Sequence, residues 1–238
     1  MPHASSQSPR HRCYGKASMG DEIDHIFVMT NAGAPDADDL VRLGLTEGAP
    51  NRHEGQGTAN RRFFFDNAML ELLWVENVDQ ARSRAVAPLR LADRWTGRSS
   101  SACPFGICLR PSDAETRLPP FRSFEYRPAY FPEGLVIHVA RGLSLAEPLW
   151  FYIIRSRDLQ ASSQAQLPAT RHRLGVRRIT EVAVTLPSTP SPASCAASSV
   201  CGVKLRTGSQ HRLRIAFDGG MSGRTHLFGP KLPMEFCW

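Results

Sequence analysis

Two polar side chains interrupt apolar strand faces and are the strongest candidates for chemistry. Glu71 alternates with apolar residues in AMLELLWVEN. Alternation in IDHIFVMT likewise places His25 on one face with Ile23 and Phe27, and Asp24 on the opposite face. A buried carboxylate is costly unless a cation or a hydrogen-bond donor compensates it. An imidazole and a carboxylate on two strands of one sheet predict a divalent-metal site. The structural alternative is a packed core histidine and a glutamate paired with Arg61 or Arg62.

A Gly-rich segment, HEGQGTAN, presents polar side chains just before a strand-like segment. Gly55 and Gly57 permit backbone conformations that other residues avoid, and they allow a ligand to approach the backbone closely. The segment therefore predicts recognition of a small polar molecule. For its last two polar residues, stabilisation of the turn itself is the alternative. The predicted substrate contacts here are His53, Gln56, Thr58 and Asn60.

Arg127 lies in the aromatic-rich segment EYRPAYFP. A guanidinium can stack on aromatic rings and still bind a carboxylate, so we predict that Arg127 orients an acidic substrate. The alternative is a cation–π contact on the surface.

The composition excludes several classes of protein. The net charge is +7, but only three of the 29 basic residues are lysines and the arginines are scattered, so we expect no nucleic-acid partner. No apolar run reaches the roughly 18 to 20 residues of a membrane-spanning helix, so we expect no membrane partner. The six cysteines lack C-x-x-C spacing, and the first 19 residues lack an apolar signal segment. We therefore expect a cytoplasmic protein with reduced thiols.

The pattern of strands repeats within residues 21–156. The first half indicates strand, helix, strand, strand, strand, with the helix beginning at Pro35 and ending near Gly44. The second half offers PFGICLR, SFEYRPAYF, GLVIHVA and PLWFYII as strands, with residues 111–122 in place of the helix. We therefore predict an α+β fold of two β-α-β-β-β modules.

The rest of the chain is predicted to flank these modules. Residues 1–20 form a disordered tail, because they are almost entirely polar, and residues 157–170 form a linker. Residues 171–238 are expected to be a degenerate third β-rich unit, a half-module of strands. The stretch STPSPASCAASS stands where its helix would be, and its Pro and Ser content predicts that the helix is missing or degenerate.

The segments IDHIFVMT, HEGQGTANRRFFFDNAMLELLWV and CPFGICLRP resemble the glyoxalase-like domain of the vicinal-oxygen-chelate superfamily. The resemblance covers residues 21–156 and implies paired modules that form an open, cup-shaped eight-stranded barrel. It also implies a divalent metal that binds substrate oxygens in a lyase, an isomerase or a dioxygenase. His25 and Glu71 occupy the ligand positions of the first module, and Glu71 is also the predicted catalytic carboxylate. At the corresponding positions the second module has no such ligands but Gly106, Ile107, Trp150 and Phe151.

Two completions of this ligand set are open. His138 on the third strand of the second module could turn into the cup, although packing or a rim position is the alternative. The other completion aligns Glu181 with His25 and Glu235 with Glu71, and so pairs the first unit with the third. If neither holds, the alternative function is a metal-free protein of the same fold that binds or sequesters a small molecule. A homodimer is a further expectation, because proteins of this type often complete their sites across a dimer.

Overall fold

The computed structural model describes residues 20–112, 118–128, 130–131, 135–154 and 170–238. The predicted tail and linker therefore lie outside the described residues, apart from residues 20 and 170. In the segment that replaces the second helix, the described residues 111–112 and 118–122 are not helical.

Eight strands of the described chain form one curled sheet. The order of its strands is β2-β3-β4-β1-β5-β8-β7-β6, so the four strands of each module are neighbours. The predicted α+β fold of paired modules is thereby confirmed. The first module supplies β1 (Glu22–Met29), β2 (Asn51–His53), β3 (Thr58–Phe64) and β4 (Met69–Val75); the second supplies β5 (Phe105–Arg110), β6 (Ser123–Tyr126), β7 (Val136–Ala140) and β8 (Leu149–Ile154).

Short helices connect the strands of the first module and lead into the second. Helix α1 (Ala37–Leu43) ends at Gly44, whose φ of 114° closes the helix as a left-handed cap. After β4 the chain forms α2 (Val78–Ala81), a 3-10 turn (Ala87–Leu89) and α3 (Leu91–Gly97). These last three elements lie close to the sheet, and Leu89 and Leu91 belong to the apolar cluster inside its curl.

The two modules are joined by antiparallel pairing of β1 with β5, which contains a β-bulge. Ile23 pairs with Leu109 and His25 with Cys108, so Asp24 is the extra residue of β1. The expected position of Ile23 on the same face as His25 is therefore wrong. Beyond the bulge, alternation holds as predicted, with Phe27 inside the curl.

The remaining strands form a second sheet with the order β10-β9-β11-β13-β12. In the first module the first strand pairs with the last, whereas here β9 pairs with β10 and β11. The third unit therefore has its own strand order. Its strands are β9 (Ile179–Leu186), β10 (Lys204–Thr207), β11 (Arg212–Phe217), β12 (Thr225–Leu227) and β13 (Met234–Cys237).

A ten-residue helix, α4 (Pro192–Cys201), connects β9 to β10. The expectation of a missing or degenerate helix is therefore wrong. The Ser191 hydroxyl accepts a hydrogen bond from the Ser194 backbone N–H, and Pro192 stands at the first helical position, where its missing N–H costs nothing. Gly202, with φ 72°, ends the helix. The Pro and Ser residues that suggested a break are a start signal.

The second sheet packs against the outer face of the eight-stranded sheet. One apolar cluster includes Ile26 and Trp150 from the first sheet and Val184, Ile215 and Phe236 from the second, all fully buried. The inner face buries a separate cluster. The second sheet thus supports the cup from outside without entering it. None of the helices in the described residues is long and apolar enough to cross a membrane.

Glu147, at the entrance to β8, ties the second module to α4. Its carboxylate accepts hydrogen bonds from the backbone N–H groups of Ser191 (2.6 Å) and Ser144 (3.0 Å) and from the Ser194 hydroxyl (2.8 Å). The Trp150 indole N–H also donates to the Ser194 hydroxyl. Burial alone would raise the pKa of Glu147, but these hydrogen bonds hold that pKa below its ordinary value.

Replacing Glu147 by Gln should lower the free energy of unfolding by about 1.5–3 kcal/mol, because hydrogen bonds to a charged acceptor are lost. A carboxyl whose pKa is lowered in the folded state stabilises the protein above its unfolded pKa, near 4.3, and this contribution disappears as the pH falls through the folded pKa. The difference between wild type and Glu147→Gln in urea denaturation should therefore shrink below about pH 4. Glu54→Gln, in an exposed turn, is the control and should leave stability unchanged.

Candidate active site

A cavity of about 240 Å³ opens inside the curl of the eight-stranded sheet. Its two sides differ in chemistry, which suits a small molecule with one polar end and an apolar body. The second module contributes the hydroxyls of Tyr126 and Tyr130 and an apolar wall that includes Ile137, Val139, Leu149, Phe151 and Ile153. Among the described residues, every charged or amide side chain of the lining comes from the first module: Asp24, His25, Asn51, His53, Gln56, Arg62 and Glu71.

His25 forms the centre of a buried polar cluster at the bulge of β1. Its Nδ1 lies 2.8 Å from Asp24 Oδ1, and Cys108 is its partner on β5. Burial alone would lower the pKa of His25, but the neighbouring Cys108 and Glu71 and the hydrogen bond with Asp24 raise it well above its ordinary value. The Phe151 ring packs edge-on against the imidazole, with the centroids 5.2 Å apart.

Glu71 is a buried carboxylate that faces the cavity without a partner. It is 7% exposed, and within the described chain no group forms a hydrogen bond or an ion pair with it. Arg62 is opposite it across the β3–β4 pairing, but the Arg62 Nε donates to the Ala49 carbonyl at 2.7 Å and its guanidinium lies over the Phe64 ring. Burial lowers the pKa of Arg62, and Glu71 offsets part of that change.

The Gly-rich segment forms the β2–β3 hairpin, and His53 and Gln56 of this hairpin line the cavity. His53 Nδ1 lies 2.8 Å from the Thr58 hydroxyl, which also accepts a hydrogen bond from Gln56 Nε2 at 2.8 Å. Gln56 Oε1 accepts a hydrogen bond from the Tyr130 hydroxyl at 3.0 Å. A residue of the second module thereby closes onto the hairpin of the first.

The model of the glyoxalase-like domain family matches residues 23–198. The chain belongs to that family. The match extends beyond residue 156, where we placed the end of the resemblance, and includes β9 and most of α4. A crystal structure of a hypothetical protein from Staphylococcus aureus is similar at 13% identity, with a TM-score of 0.49, and the alignment covers 91% of this chain and 98% of that one. A search of curated proteins gives no significant match.

A divalent metal, which many proteins of the vicinal-oxygen-chelate superfamily bind, fits the residues of this glyoxalase-like domain. Asp24, His25 and Cys108 each offer one ligand atom, and these atoms lie within 4.8 Å of one another. In the described residues, no other group of three His, Cys, Asp or Glu side chains meets this spacing. Nitrogen, sulfur and oxygen donors together suit Zn²⁺. Glu71 faces the same cavity but is not a member of this group.

The predicted site residues of the first module divide into two groups. His25, His53, Gln56 and Glu71 line the cavity. Thr58 and Asn60 are buried behind it: Thr58 holds His53 and Gln56, and the Asn60 side-chain oxygen accepts a hydrogen bond from the Asn51 backbone N–H at 3.0 Å. Neither side chain lines the cavity, so the structure favours the turn-stabilising alternative for both residues.

Four other predicted residues lie away from the cavity. Arg127 is exposed, pairs with Glu125 at 2.7 Å and does not line the cavity, so its contact with a substrate stays a prediction from the sequence. His138 alternates with Ile137 and Val139, which line the cavity, and therefore points to the opposite face of β7.

The alternative that paired the first and third units is also contradicted. β1 pairs with β5 of the second module, and the C-terminal strands belong to the other sheet. Glu181 is bonded there to Lys204 (2.5 Å) and Arg214 (3.1 Å), and Glu235 lies 3.4 Å from Arg214. Because their carboxylates are neutralised in the second sheet, neither can complete a ligand set with His25.

Several residues of the site were not predicted from the sequence. Asp24 was placed on the opposite face, because strict alternation cannot reveal a bulge. Cys108 follows Gly106 by two residues and so shares its face, and extending the alternation by one step would have found it. Tyr130 was assigned only to the surroundings of Arg127, since nothing in the sequence indicates that it contacts the Gly-rich hairpin.

Gly57→Ala should disrupt the hairpin that carries His53. At φ 74° an Ala is strained, and its Cβ would lie 2.2 Å from the Asn77 carbonyl oxygen. Gly55→Ala is the matched control, because Gly55 has φ 78° with nothing within 4 Å of an added Cβ. We expect Gly55→Ala to lower the free energy of unfolding by about 1 kcal/mol and Gly57→Ala by about 3 kcal/mol or more. Equal losses in chemical denaturation would contradict this packing role.

Proposed function

We propose that the protein is a divalent-metal-dependent glyoxalase-like enzyme, of the lyase, isomerase or dioxygenase type, that acts on a small oxygenated organic molecule. The observation that carries this proposal is Glu71, a buried carboxylate without a partner in the described residues, aimed into a cavity that also receives His25. A carboxylate buried for structural reasons is normally compensated by hydrogen bonds, as Glu147 is in this chain. Glu71 is thus available to a ligand.

The two sides of the cavity suggest how a substrate is oriented. Its hydrocarbon part would contact the wall around Phe151 and Ile137, and its oxygens would face the polar side formed by the first module. The volume of about 240 Å³ limits the substrate to a small molecule. Closure of the site by the Tyr130–Gln56 hydrogen bond favours a dry environment, which strengthens electrostatic interactions with the substrate.

The metal would be held by Asp24, His25 and Cys108, whose ligand atoms are clustered, and Glu71 would face the same cavity as a carboxylate outside that group. When bound, a divalent ion supplies Lewis-acid stabilisation of negative charge that develops on a substrate oxygen. The hydrogen bond between Asp24 and His25 Nδ1 fixes the orientation of the imidazole.

Glu71 would accept a proton from the substrate carbon or hydroxyl next to that oxygen. Glu71 pairs with Phe27 of β1 and therefore lies on the same face of the sheet as His25. The neighbouring Arg62 limits the cost of burying the negative charge of Glu71. General-base catalysis of this kind contributes about 10²–10⁴-fold to a rate.

A metal-free binding protein is the second candidate, and one observation favours it. The pKa of His25 is raised well above its ordinary value, which favours the imidazolium, and this cation would compensate the neighbouring carboxylates without a metal. The cavity would then sequester a small molecule against its apolar wall. A homodimer, a cytoplasmic location and the absence of a nucleic-acid partner remain predictions from the sequence.

Metal analysis separates the two candidates. After reconstitution and dialysis, wild type should retain about one divalent ion per chain, and His25→Ala and Cys108→Ala should retain less than about a tenth of that amount. His138→Ala is the matched control, because this histidine lies on the opposite face of the same sheet, and it should bind as wild type does. A wild-type chain that retains no ion, or an equal loss in His138→Ala, would favour the metal-free protein.

Proton abstraction is measurable before the natural substrate is known. We expect the metal-loaded wild type to catalyse exchange of carbon-bound hydrogen in small α-hydroxy ketones dissolved in D₂O, followed by NMR. Glu71→Gln should slow this exchange by about 10²–10⁴-fold, because the amide cannot accept the proton. Glu54→Gln should leave it unchanged. Exchange in Glu71→Gln at the wild-type rate would refute the proposed role of this carboxylate.

A further inference from the structure

Four side chains form one hydrogen-bonded chain that begins in the second module and ends at the polar side of the cavity. The order is Tyr130, Gln56, Thr58 and His53, and the three links measure 3.0, 2.8 and 2.8 Å. Gln56 and Thr58 are buried, whereas His53 lines the cavity. These hydrogen bonds therefore connect the contact between the two modules, Tyr130 to Gln56, with the imidazole of His53.

The Thr58 hydroxyl determines which nitrogen of His53 carries the proton. This hydroxyl accepts a hydrogen bond from Gln56 Nε2, and its remaining contact in the described residues is His53 Nδ1. If His53 Nδ1 were protonated, the buried hydroxyl would accept twice and its own hydrogen would have no acceptor. Satisfaction of all groups requires the hydroxyl to donate to an unprotonated Nδ1.

All three hydrogen bonds run in the same donor-to-acceptor direction, from Tyr130 towards His53. Tyr130 donates to Gln56 Oε1, the Gln56 amide donates to Thr58, and Thr58 donates to His53. The reverse direction would require the Gln56 amide to be rotated, and it would leave the Tyr130 hydroxyl hydrogen without an acceptor in the described residues. The hydrogen-bond pattern therefore favours the first direction.

The other nitrogen of His53, Nε2, is available for a contact from the cavity. Nε2 has no hydrogen-bond partner in the part of the chain that the structure describes, and the imidazole borders the cavity. Burial lowers the pKa of His53, an effect that Glu71 partly opposes and that His25 and Arg62 reinforce, in agreement with the neutral ring that an unprotonated Nδ1 requires. A neutral ring with an unprotonated Nδ1 carries its hydrogen on Nε2.

We propose that Tyr130, Gln56 and Thr58 are positioning residues that hold His53 as the neutral Nε2–H tautomer, a hydrogen-bond donor to an oxygen of the bound molecule. His53 then acts neither as the proton acceptor nor as a metal ligand, and these roles stay with the groups around Glu71 and His25. The inference rests on the proposed function only in assuming that the cavity binds a small molecule. It specifies the ligand as one that places a carbonyl, carboxylate or hydroxyl oxygen at His53.

Long-range ¹H–¹⁵N NMR spectra of the imidazole rings test the tautomer directly, on the full chain and without substrate. In wild type at pH 7, His53 Nε2 should have the shift of a protonated nitrogen and Nδ1 that of an unprotonated one. His53→Gln identifies the signals by their loss. Thr58→Ser retains the hydroxyl and should preserve the pattern, whereas Thr58→Val should shift the averaged signals towards the other tautomer.

The proposal is overturned by an Nδ1–H tautomer or an imidazolium in wild type at pH 7, or by a Thr58→Val spectrum identical to that of wild type. If Thr58→Val does not fold, Gln56→Leu interrupts the row of hydrogen bonds one link earlier and should shift the His53 signals in the same direction. Unchanged His53 signals in Gln56→Leu would also overturn the proposal. The spectra depend on neither metal content nor turnover. The proposed enzyme activity can therefore fail while the proposed tautomer is confirmed, and the tautomer can be wrong while the activity is confirmed.

Discussion

The antiparallel pairing of β1 with β5 is the interaction on which the candidate site depends. This pairing unites the two modules in one sheet, so that the concave face of the first is continued by that of the second. It also contains the bulge that turns Asp24 and His25, consecutive residues of one strand, toward the same cavity. A regular ladder would have placed these side chains on opposite faces. The irregularity therefore creates the polar cluster, and the pairing brings Cys108 to it.

Most of the fold was predictable, because alternation and turn signals are local. The strands of both modules and the end of α1 at Gly44 follow from period-two patterns and from glycine. Helix α4 was missed for an instructive reason: Ser191 and Pro192 are helix-starting residues when they precede an Ala-rich segment and helix breakers elsewhere. Composition alone does not distinguish these two uses, whereas their order along the chain does.

The site was predictable only where a residue is unusual within its own strand. Glu71 and His25 were recognisable because each interrupts an apolar face, and His53 and Gln56 because they accompany two glycines. The remaining contacts arise between distant segments. Tyr130 reaches Gln56 across 74 positions of sequence, and no pattern around either residue records that distance.

The second sheet packs against the outside of the cup, and none of its described side chains lines the cavity. Side chains such as Ile26 and Trp150 fill the layer between the sheets, and Glu147 fixes the start of α4 to the second module. The outward side chains of β1, β4 and β8 are thus held by packing, which restrains the inward ones on the same strands. Precise placement of Glu71 and His25 benefits from this support, because a site on well-packed strands tolerates little displacement.

The unequal chemistry of the two cavity walls has a consequence for how proteins of this kind can diversify. Apart from Cys108, the reactive groups belong to one module, and the other presents mainly aliphatic and aromatic surface. Exchanges among Ile137, Val139, Leu149 and Ile153 would therefore reshape the space offered to a ligand without touching the titratable groups. In the proposed enzyme, selection could act on the range of molecules accepted through one half of the gene and preserve the chemistry through the other.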